Sequence, residues 1–260
     1  MPAEPWDLVE RLHDWAQEQP WIDWLELGGS LGRGAGDAWS DIDAGCGVVG
    51  DDLDQRVAET IRAVSEFAPV AGTLIQPWQT GSHCIVAYED GRQLSLVVAP
   101  AGFRAGRPPE SRALLKRSGR LAEPLPVDRW MPDADTQREW VFLAWIAIGD
   151  AARHAVRDHR WRALRSLTEG RDLVWQLRAV DAGVAYPGFG AVSMENAGLP
   201  APPGLAATHP TDLDPERLLD AAEALGRVLT ELRDDHGELA GSVRRRISAL
   251  RSSPRSSADH

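Results

Sequence analysis

A chain of 260 residues can bury one large hydrophobic core or two modest ones, and its length favours two domains. The hydrophobic fraction of 43% and the charged fraction of 26% are those of an ordinary soluble globular protein. The net charge of −11 disfavours long nucleic acid as a partner, because affinity for a phosphate backbone depends on basic patches. A negative surface instead attracts cations, including a metal-bound nucleotide or a polycationic small molecule.

The N-terminal segment predicts an amphipathic helix and has no apolar run of the kind expected in an export signal. Apolar residues recur at near-helical spacing from Pro5 to Gln19, and Pro20 marks the stop. No apolar run in the chain reaches the ~20 residues that a membrane span needs. Cys46 and Cys84 both fall in predicted strands, where a free thiol packs as an apolar residue. We therefore expect a reduced, cytoplasmic protein that does not bind a membrane.

Residues 27–49, LGGSLGRGAGDAWSDIDAGCGVV, predict a strand, a tight turn, a short helix and a second strand. The first strand ends at Gly28, Gly29 and Ser30, where small or missing side chains let the backbone turn and approach a ligand closely. We expect Ser30 to cap the short helix. Its hydroxyl and the neighbouring backbone N–H groups would then form an anion site suited to a phosphate.

Asp41 and Asp43 are the carboxylates of this stretch. The two-residue period of a strand places both on one face, while Ile42 points into the core. Adjacent carboxylates repel each other unless a positive charge lies between them. Magnesium prefers one or two carboxylates together with phosphate oxygens and water, so the pattern predicts a site for a magnesium-bound nucleotide.

These glycines and aspartates also allow other interpretations. A Rossmann turn at Gly32, Gly34 and Gly36 would require a full crossover helix, whereas the next predicted strand follows within a few residues. A Walker A loop is excluded because the Gly-Lys-Ser/Thr sequence is missing. The alternative that stays open is a solvated turn whose aspartates only cap the backbone or face water.

The order of Gly29 and Ser30, followed by a DxD pair at Asp41 and Asp43, resembles the signature of the polymerase-beta-type nucleotidyltransferase superfamily. The resemblance is to its antibiotic (aminoglycoside and lincosamide) branch in particular. It implies that Gly29 and Ser30 bind nucleotide phosphates and that the aspartates are catalytic metal ligands. Two Mg²⁺ ions are implied when nucleotide is bound, and Arg33 is expected to touch a phosphate. The implied substrates are an NTP, with ATP the leading case, and a small hydroxyl-bearing acceptor.

The segments that follow extend the resemblance. Residues 52–67 predict a helix, and strands are predicted at 69–78, 81–88 and 92–99, with a hairpin turn between the last two. Helix, strand, helix, strand, helix and then three strands resembles the order of the nucleotidyltransferase core. We therefore predict an α+β fold whose first domain, residues 1–103, is a small mixed-sheet nucleotidyltransferase core.

The last predicted strand departs from the family pattern. A third acidic residue on this strand completes the metal site or serves as the base in the family, but the sequence LSLVV places Ser95 there. A hydroxyl is a weak magnesium ligand and a poor base. Three alternatives remain open. The site works with two carboxylates, another acid such as Glu89, Asp90 or Glu169 supplies the missing function, or catalysis is lost and binding is kept.

The second half of the chain predicts helices. Residues 104–133 are rich in proline and arginine and are interpreted as a linker, whose basic residues either contact phosphate or are simply solvated. Residues 134–240 predict a C-terminal α-helical bundle, and 241–260 a frayed or disordered tail. Glu169 shares a helix face with Asp172 and is the tentative catalytic base. The alternative is an exposed charge pattern with the neighbouring arginines.

The function expected from the sequence is Mg-dependent transfer of a nucleoside monophosphate, with AMP the leading case. The acceptor would be a hydroxyl of a small molecule such as an aminoglycoside-like antibiotic. The alternative, favoured by Ser95, is a catalytically degenerate nucleotide-binding or antitoxin-like regulatory protein on the same fold, with a protein partner.

Overall fold

A computed structural model describes residues 4–126, 130–233 and 237–252. The chain divides into two compact units, Met1–Val127 and Asp128–His260. The first contains a mixed six-stranded sheet with helices and the second is helical, which confirms the predicted α+β fold with a C-terminal helical region. Within the described ranges no helix combines the length and the apolar character that crossing a bilayer requires.

The elements of the first unit are α1 (Pro5–Glu18), β1 (Ile22–Leu27), α2 (Gly29–Gly32), β2 (Ile42–Val48), α3 (Leu53–Val64), β3 (Val70–Trp78), β4 (Gly81–Tyr88), β5 (Gln93–Pro100) and β6 (Arg112–Lys116). From α1 to β5 they follow the predicted order of helices and strands, and a further strand, β6, comes after them. The helix α1 begins with Pro5 in its first turn, where proline's fixed φ and missing N–H are tolerated. The predicted helix at 52–67 is observed as α3, which ends a few residues earlier.

The sheet places β2 at the centre of the candidate site. The strand order is β3-β4-β5-β2-β1-β6, with β2 and β5 parallel and the other neighbours antiparallel. In this register Asp43 lies opposite Ser95 on β5, and Gly45 lies opposite Glu26 on β1. Side chains two residues apart on a strand share a face, so Asp43 and Gly45 point the same way and their neighbours point the other.

The helices α1 and α3 pack against one face of the central strands. Ile42, Cys46 and Val48 of β2 are buried in one hydrophobic cluster with apolar residues of α1 and α3. Cys84 of β4 belongs to the same cluster, and burial raises the pKa of its thiol to about 11. Because alternate residues of β2 are committed to this core, Asp43 lies on the opposite face of the sheet.

The predicted boundary of the first domain at residue 103 is wrong. The segment Arg112–Lys116, which falls inside the predicted linker 104–133, is the strand β6 and pairs antiparallel with β1. Trp24 is paired with Lys116, and Leu27 with Arg112. The strand is short and its charged ends resemble a loop, so only the pairing with β1 makes it a strand.

The second unit is built from α4 (Ala134–Val156), α5 (Arg160–Asp181), α6 (Ala191–Asn196), α7 (Pro215–Leu232) and α8 (Gly237–Ser252). Asp133 and Asp214 cap α4 and α7 by accepting hydrogen bonds from backbone N–H groups in the first turn. Buried side chains of α4, α5, α7 and α8 form one cluster, as expected for a helical bundle.

The predicted disordered tail is wrong for residues 241–252, which belong to α8. Ala240, Val243 and Ile247 recur at three- and four-residue spacing and are buried in the bundle core. The arginines at 244–246 lie between these apolar positions and masked the pattern in the sequence. Residues 253–260, also predicted to be disordered, lie outside the described residues.

Gly47 on β2 is expected to be required for stability. A Cβ built there would lie 2.0 Å from Nε1 of Trp24, a buried ring whose Nε1 donates to the Ala101 carbonyl at 3.0 Å. Gly47→Ala should therefore lower the free energy of unfolding by about 1–3 kcal/mol, measured by urea denaturation. Gly72→Ala on the exposed strand β3 is the control, since its Cβ would meet nothing within 4 Å. Equal stability of the two variants would contradict the packing described here.

Candidate functional site

The backbone after β1 turns directly against the Asp43 side chain. The Gly28 N–H donates to the Asp43 carbonyl at 2.8 Å, and the Gly32 N–H donates back to the Gly28 carbonyl at 2.7 Å. Gly29 has a φ of +56°, and a Cβ built on it would lie 2.2 Å from Oδ2 of Asp43. Only glycine combines this backbone conformation with this close approach. The turn therefore brings bare backbone beside a carboxylate.

Ser30 does not cap the short helix, contrary to the sequence-based expectation. Gly28 is the N-cap residue of α2 and makes no side-chain cap hydrogen bond, while Ser30 is the second helical residue. The start of α2 is fixed earlier in the chain, because Gly28 already pairs with Asp43. The Ser30 carbonyl accepts from the Ala35 N–H at 2.9 Å. The roles of Gly29 and Ser30 in holding phosphate stay predictions.

Asp41 and Asp43 flank the buried Ile42 at the start of β2, and both are exposed. Partial burial of the Asp43 carboxyl and the charge of Asp41 both raise the pKa of Asp43. The nearby Ser95 hydroxyl and the charges of His83 and Arg33 lower the pKa of Asp43. The two carboxylates are thus close enough to repel, and a cation placed beside them would relieve this repulsion.

Ser95, at the third-carboxylate position, is hydrogen bonded to a histidine. His83 Nε2 and Ser95 Oγ are 2.8 Å apart. The antiparallel register pairs His83 with Val97 and Ile85 with Ser95, so the two polar side chains meet diagonally on one face. Sequence reasoning missed this role of His83. The available signal was the predicted hairpin, which makes the strand of His83 a neighbour of the strand of Ser95. A polar side chain on one of these strands can therefore contact a polar side chain on the other.

Glu89 and Asp90, two of the acids proposed as substitutes for a third carboxylate, lie on the turn after β4. Asp90 accepts hydrogen bonds from Nε and Nη2 of Arg92 at 2.9 and 2.7 Å, and this pairing is the main reason that its pKa is lowered. Asp90 lines a cavity of about 120 Å³ together with Asp41 and Trp39. The same Arg92 guanidinium also forms an ion pair with Asp7. Glu89 is exposed on the same turn.

Glu169 lies on α5 in the second unit. Its Oε1 accepts from Nε of Arg165 at 2.8 Å on an exposed surface, which is the charge pattern that the sequence offered as the alternative. Burial is the main reason that the pKa of Asp172, on the same helix, is raised. The role of Glu169 as a catalytic base stays a prediction.

An ion pair that sequence reasoning missed lies beside Asp43. Glu26 of β1 is 4% exposed, and its Oε1 accepts from Nε and Nη2 of Arg104 at 2.9 and 2.6 Å. Glu26 Oε2 is buried and has no hydrogen-bond partner among the described residues. Burial raises the pKa of Glu26 and Arg104 lowers it. The signal was the presence of two acidic residues, Asp23 and Glu26, in a strand whose other residues are apolar, since buried acids are rare unless they are paired.

A small cavity joins this ion pair to the candidate site. It has a volume of about 160 Å³ and is lined by Glu26, Arg104 and Asp43 together with aromatic side chains, among them Trp78 and Phe103. The Trp78 and Phe103 rings meet edge to face with their centroids 5.1 Å apart. The cavity therefore offers charged and aromatic groups next to the Asp43 carboxylate.

The arginines near the site are largely engaged with the protein itself. Arg33 ends α2, and its Nη1 lies 3.9 Å from Oε2 of Glu110. From the predicted basic linker, Arg104 binds Glu26, while Arg117 donates to backbone carbonyls preceding and within β1. The contact of Arg33 with a phosphate stays a prediction.

The residues present fit a divalent cation that is coordinated partly by protein carboxylates and partly by a bound ligand. No group of three or more His, Cys, Asp or Glu side chains that could hold a metal ion occurs in the described part of the chain. Asp41 and Asp43 would thus provide the protein carboxylates, and the missing Cβ of Gly29 leaves space beside Oδ2 of Asp43. Magnesium is commonly bound by one or two carboxylates with phosphate oxygens and water completing its shell.

No protein-family model matches this chain, and no curated protein does. It is similar to a solved aminoglycoside 6-adenyltransferase from Bacillus subtilis. The two chains are 12% identical, the similarity covers 95% of this chain and 97% of the other, and the TM-score is 0.39. At this identity and TM-score the similarity does not assign a function to this chain.

Proposed function

We propose that this protein is a Mg-dependent nucleotidyltransferase that transfers a nucleoside monophosphate from an NTP to a hydroxyl of a small acceptor. One observation carries the proposal. The bare backbone of Gly29 lies against the carboxylate of Asp43, whose pKa is raised in part by the charge of Asp41. A coupled carboxylate pair beside an open glycine turn is an arrangement suited to a metal-bound triphosphate.

Each residue has a role in this proposal. Asp41 and Asp43 hold the cation, and Gly29 and Ser30 let the terminal phosphates approach the backbone, with Arg33 adding a positive charge. The cation supplies charge neutralisation on the phosphate oxygens when it is bound. ATP is the leading donor and an aminoglycoside-like molecule the leading acceptor.

The reaction forms a bond between the acceptor oxygen and the α-phosphorus. The bond from the α-phosphorus to the oxygen bridging to the β-phosphate breaks, and pyrophosphate leaves with the electron pair. The proton of the acceptor hydroxyl passes to a base. Ser95 is a poor base, so this role is proposed for Glu169 or for solvent.

The proposal is tested by nucleotide binding followed by turnover. We expect ATP to bind with a measurable heat in calorimetry only when Mg²⁺ is present, and GTP serves as the comparison for base preference. Pyrophosphate release should then appear with at least one acceptor in a panel of aminoglycosides and lincosamides. Absence of Mg-dependent binding to either nucleotide would contradict the proposal.

The second candidate function is a catalytically degenerate nucleotide-binding or antitoxin-like regulatory protein that acts on a protein partner. Ser95 favours it, because the side chain opposite Asp43 on β5 is not a carboxylate. Ser95→Asp distinguishes the two candidates when pyrophosphate release is measured with Mg²⁺. A gain of about tenfold or more would support a decayed site. No gain, in a protein whose wild type turns over, would support a site that is complete with two carboxylates.

A further inference from the structure

We propose that His83 and Ser95 together replace the missing third carboxylate with a hydrogen-bond relay that positions the Asp43 side chain. The relay runs from His83 Nε2 to Ser95 Oγ and from the Ser95 hydroxyl to the Asp43 carboxylate. The inference rests on the proposed function, because it assigns Asp43 to metal binding. It makes His83 a positioning residue that acts through Ser95.

The strand register creates this arrangement. Asp43 and Ser95 are direct partners in the parallel pair β2 and β5, so their side chains stand next to each other on one face. His83 reaches the same hydroxyl from β4, with 2.8 Å between Nε2 and Oγ. Three consecutive strands in the sheet therefore each contribute one member of the relay.

The direction of the relay follows from counting hydrogens. An ionised carboxylate can only accept, so a hydrogen bond between Ser95 and its direct strand partner Asp43 uses the single hydrogen of the serine hydroxyl. Ser95 Oγ can then only accept from the other side. His83 Nε2 must therefore carry a hydrogen and donate it to Ser95. This N–H is committed to the relay, so His83 does not act as a base through Nε2.

The relay gives Ser95, at the third-carboxylate position, a different electrostatic effect from that of a carboxylate. A third carboxylate would add another negative charge beside Asp41 and Asp43, which already repel each other. A hydroxyl donor backed by an imidazole N–H instead stabilises the ionised form of Asp43 and fixes its orientation. Groups that orient a metal ligand in this way commonly affect metal affinity by about 10- to 100-fold.

The relay is tested by comparing His83→Leu with His83→Gln. Glutamine keeps an N–H donor that leucine lacks, and neither can serve as a base at neutral pH. The readout is the affinity for Mn²⁺ in the presence of ATP, measured at fixed pH by electron paramagnetic resonance. We expect His83→Leu to weaken Mn²⁺ binding about tenfold and His83→Gln to stay within about threefold of wild type. His13→Leu on α1 is the matched control and should have no effect.

Two results would overturn the relay. The first is equal Mn²⁺ affinity in wild type and His83→Leu. The second is an equal loss of turnover in both His83 variants while their Mn²⁺ affinity is unchanged, because that result would make His83 a base. Nitrogen-15 NMR of the histidine side chains gives a ligand-free readout. We expect hydrogen on Nε2 of His83, and a bare Nε2 would overturn the relay. If the wild type binds neither Mn²⁺ nor ATP, the proposed function is contradicted. The NMR result then tests whether the hydrogen-bond relay exists.

Discussion

Asp41→Asn and Asp43→Asn are each expected to lower nucleotidyl transfer about a thousandfold, which corresponds to about 4 kcal/mol of lost transition-state stabilisation. Asparagine keeps the size of aspartate but removes the charge that holds the cation. The two side chains flank the buried Ile42, so neither substitution disturbs the core. The measurement is the rate of pyrophosphate release under saturating Mg-ATP with the acceptor that the wild type uses.

The stability of these variants provides an internal control. The pKa of Asp43 is raised in the folded protein, mainly by burial and then by Asp41, so the ionised carboxylate is less stable there than in the unfolded chain. Removing the charge should leave the unfolding midpoint unchanged or higher. Asp51→Asn, an exposed acid just after β2, should alter neither activity nor stability. Full activity in Asp41→Asn would remove the basis of the functional assignment.

Arg104→Met is expected to destabilise the first unit by about 3 kcal/mol at neutral pH, because it leaves the Glu26 carboxylate buried without its partner. Methionine retains apolar contact in place of the arginine stem, whose guanidinium lies over the Trp24 and Phe103 rings. The free energy of unfolding from urea denaturation is the measurement.

The loss of stability in Arg104→Met should depend on pH in a defined direction. Burial holds the pKa of Glu26 above its ordinary value, and Arg104 opposes that rise. Without Arg104 the folded-state pKa climbs further above the unfolded one. A raised acid pKa means that the folded state binds the proton more tightly, so stability falls as pH rises from the unfolded pKa through the folded pKa. The destabilisation of Arg104→Met should therefore be large near pH 7 and shrink towards pH 4.

The double variant Glu26→Gln with Arg104→Met separates charge from packing. It removes both charges, so we expect it to be more stable than Arg104→Met alone at neutral pH. It should also show little of the pH dependence. A loss in Arg104→Met that is the same at both pH values would mean that Glu26 is not the origin of the effect.

The sequence anticipated most of the local structure of the first unit. The alternation of Asp41, Ile42 and Asp43 correctly predicted a buried isoleucine between two exposed acids, because a strand alternates its faces. The glycines at 28 and 29 correctly predicted a turn of bare backbone. The expected cap at Ser30 was wrong, since Gly28 is held by its bond to Asp43 and already occupies the cap position.

Features that depend on long-range pairing were not predicted. The strand β6 was taken for part of a linker because five residues with charged ends carry little strand signal until β1 pairs with them. The helix α8 was taken for a tail because its arginines hid the apolar positions that the bundle buries. In both cases the deciding energy comes from partners distant in sequence.

The sequence by itself determined the order of elements from α1 to β5, the glycine turn and the carboxylate pair at Asp41 and Asp43. Each of these follows from a local period or from the conformational freedom of a residue type. Only the tertiary structure decided which side chains surround the pair. The Glu26 and Arg104 ion pair and the contact of His83 with Ser95 depend on strand order and register, which packing over the whole sheet selects and no local pattern records.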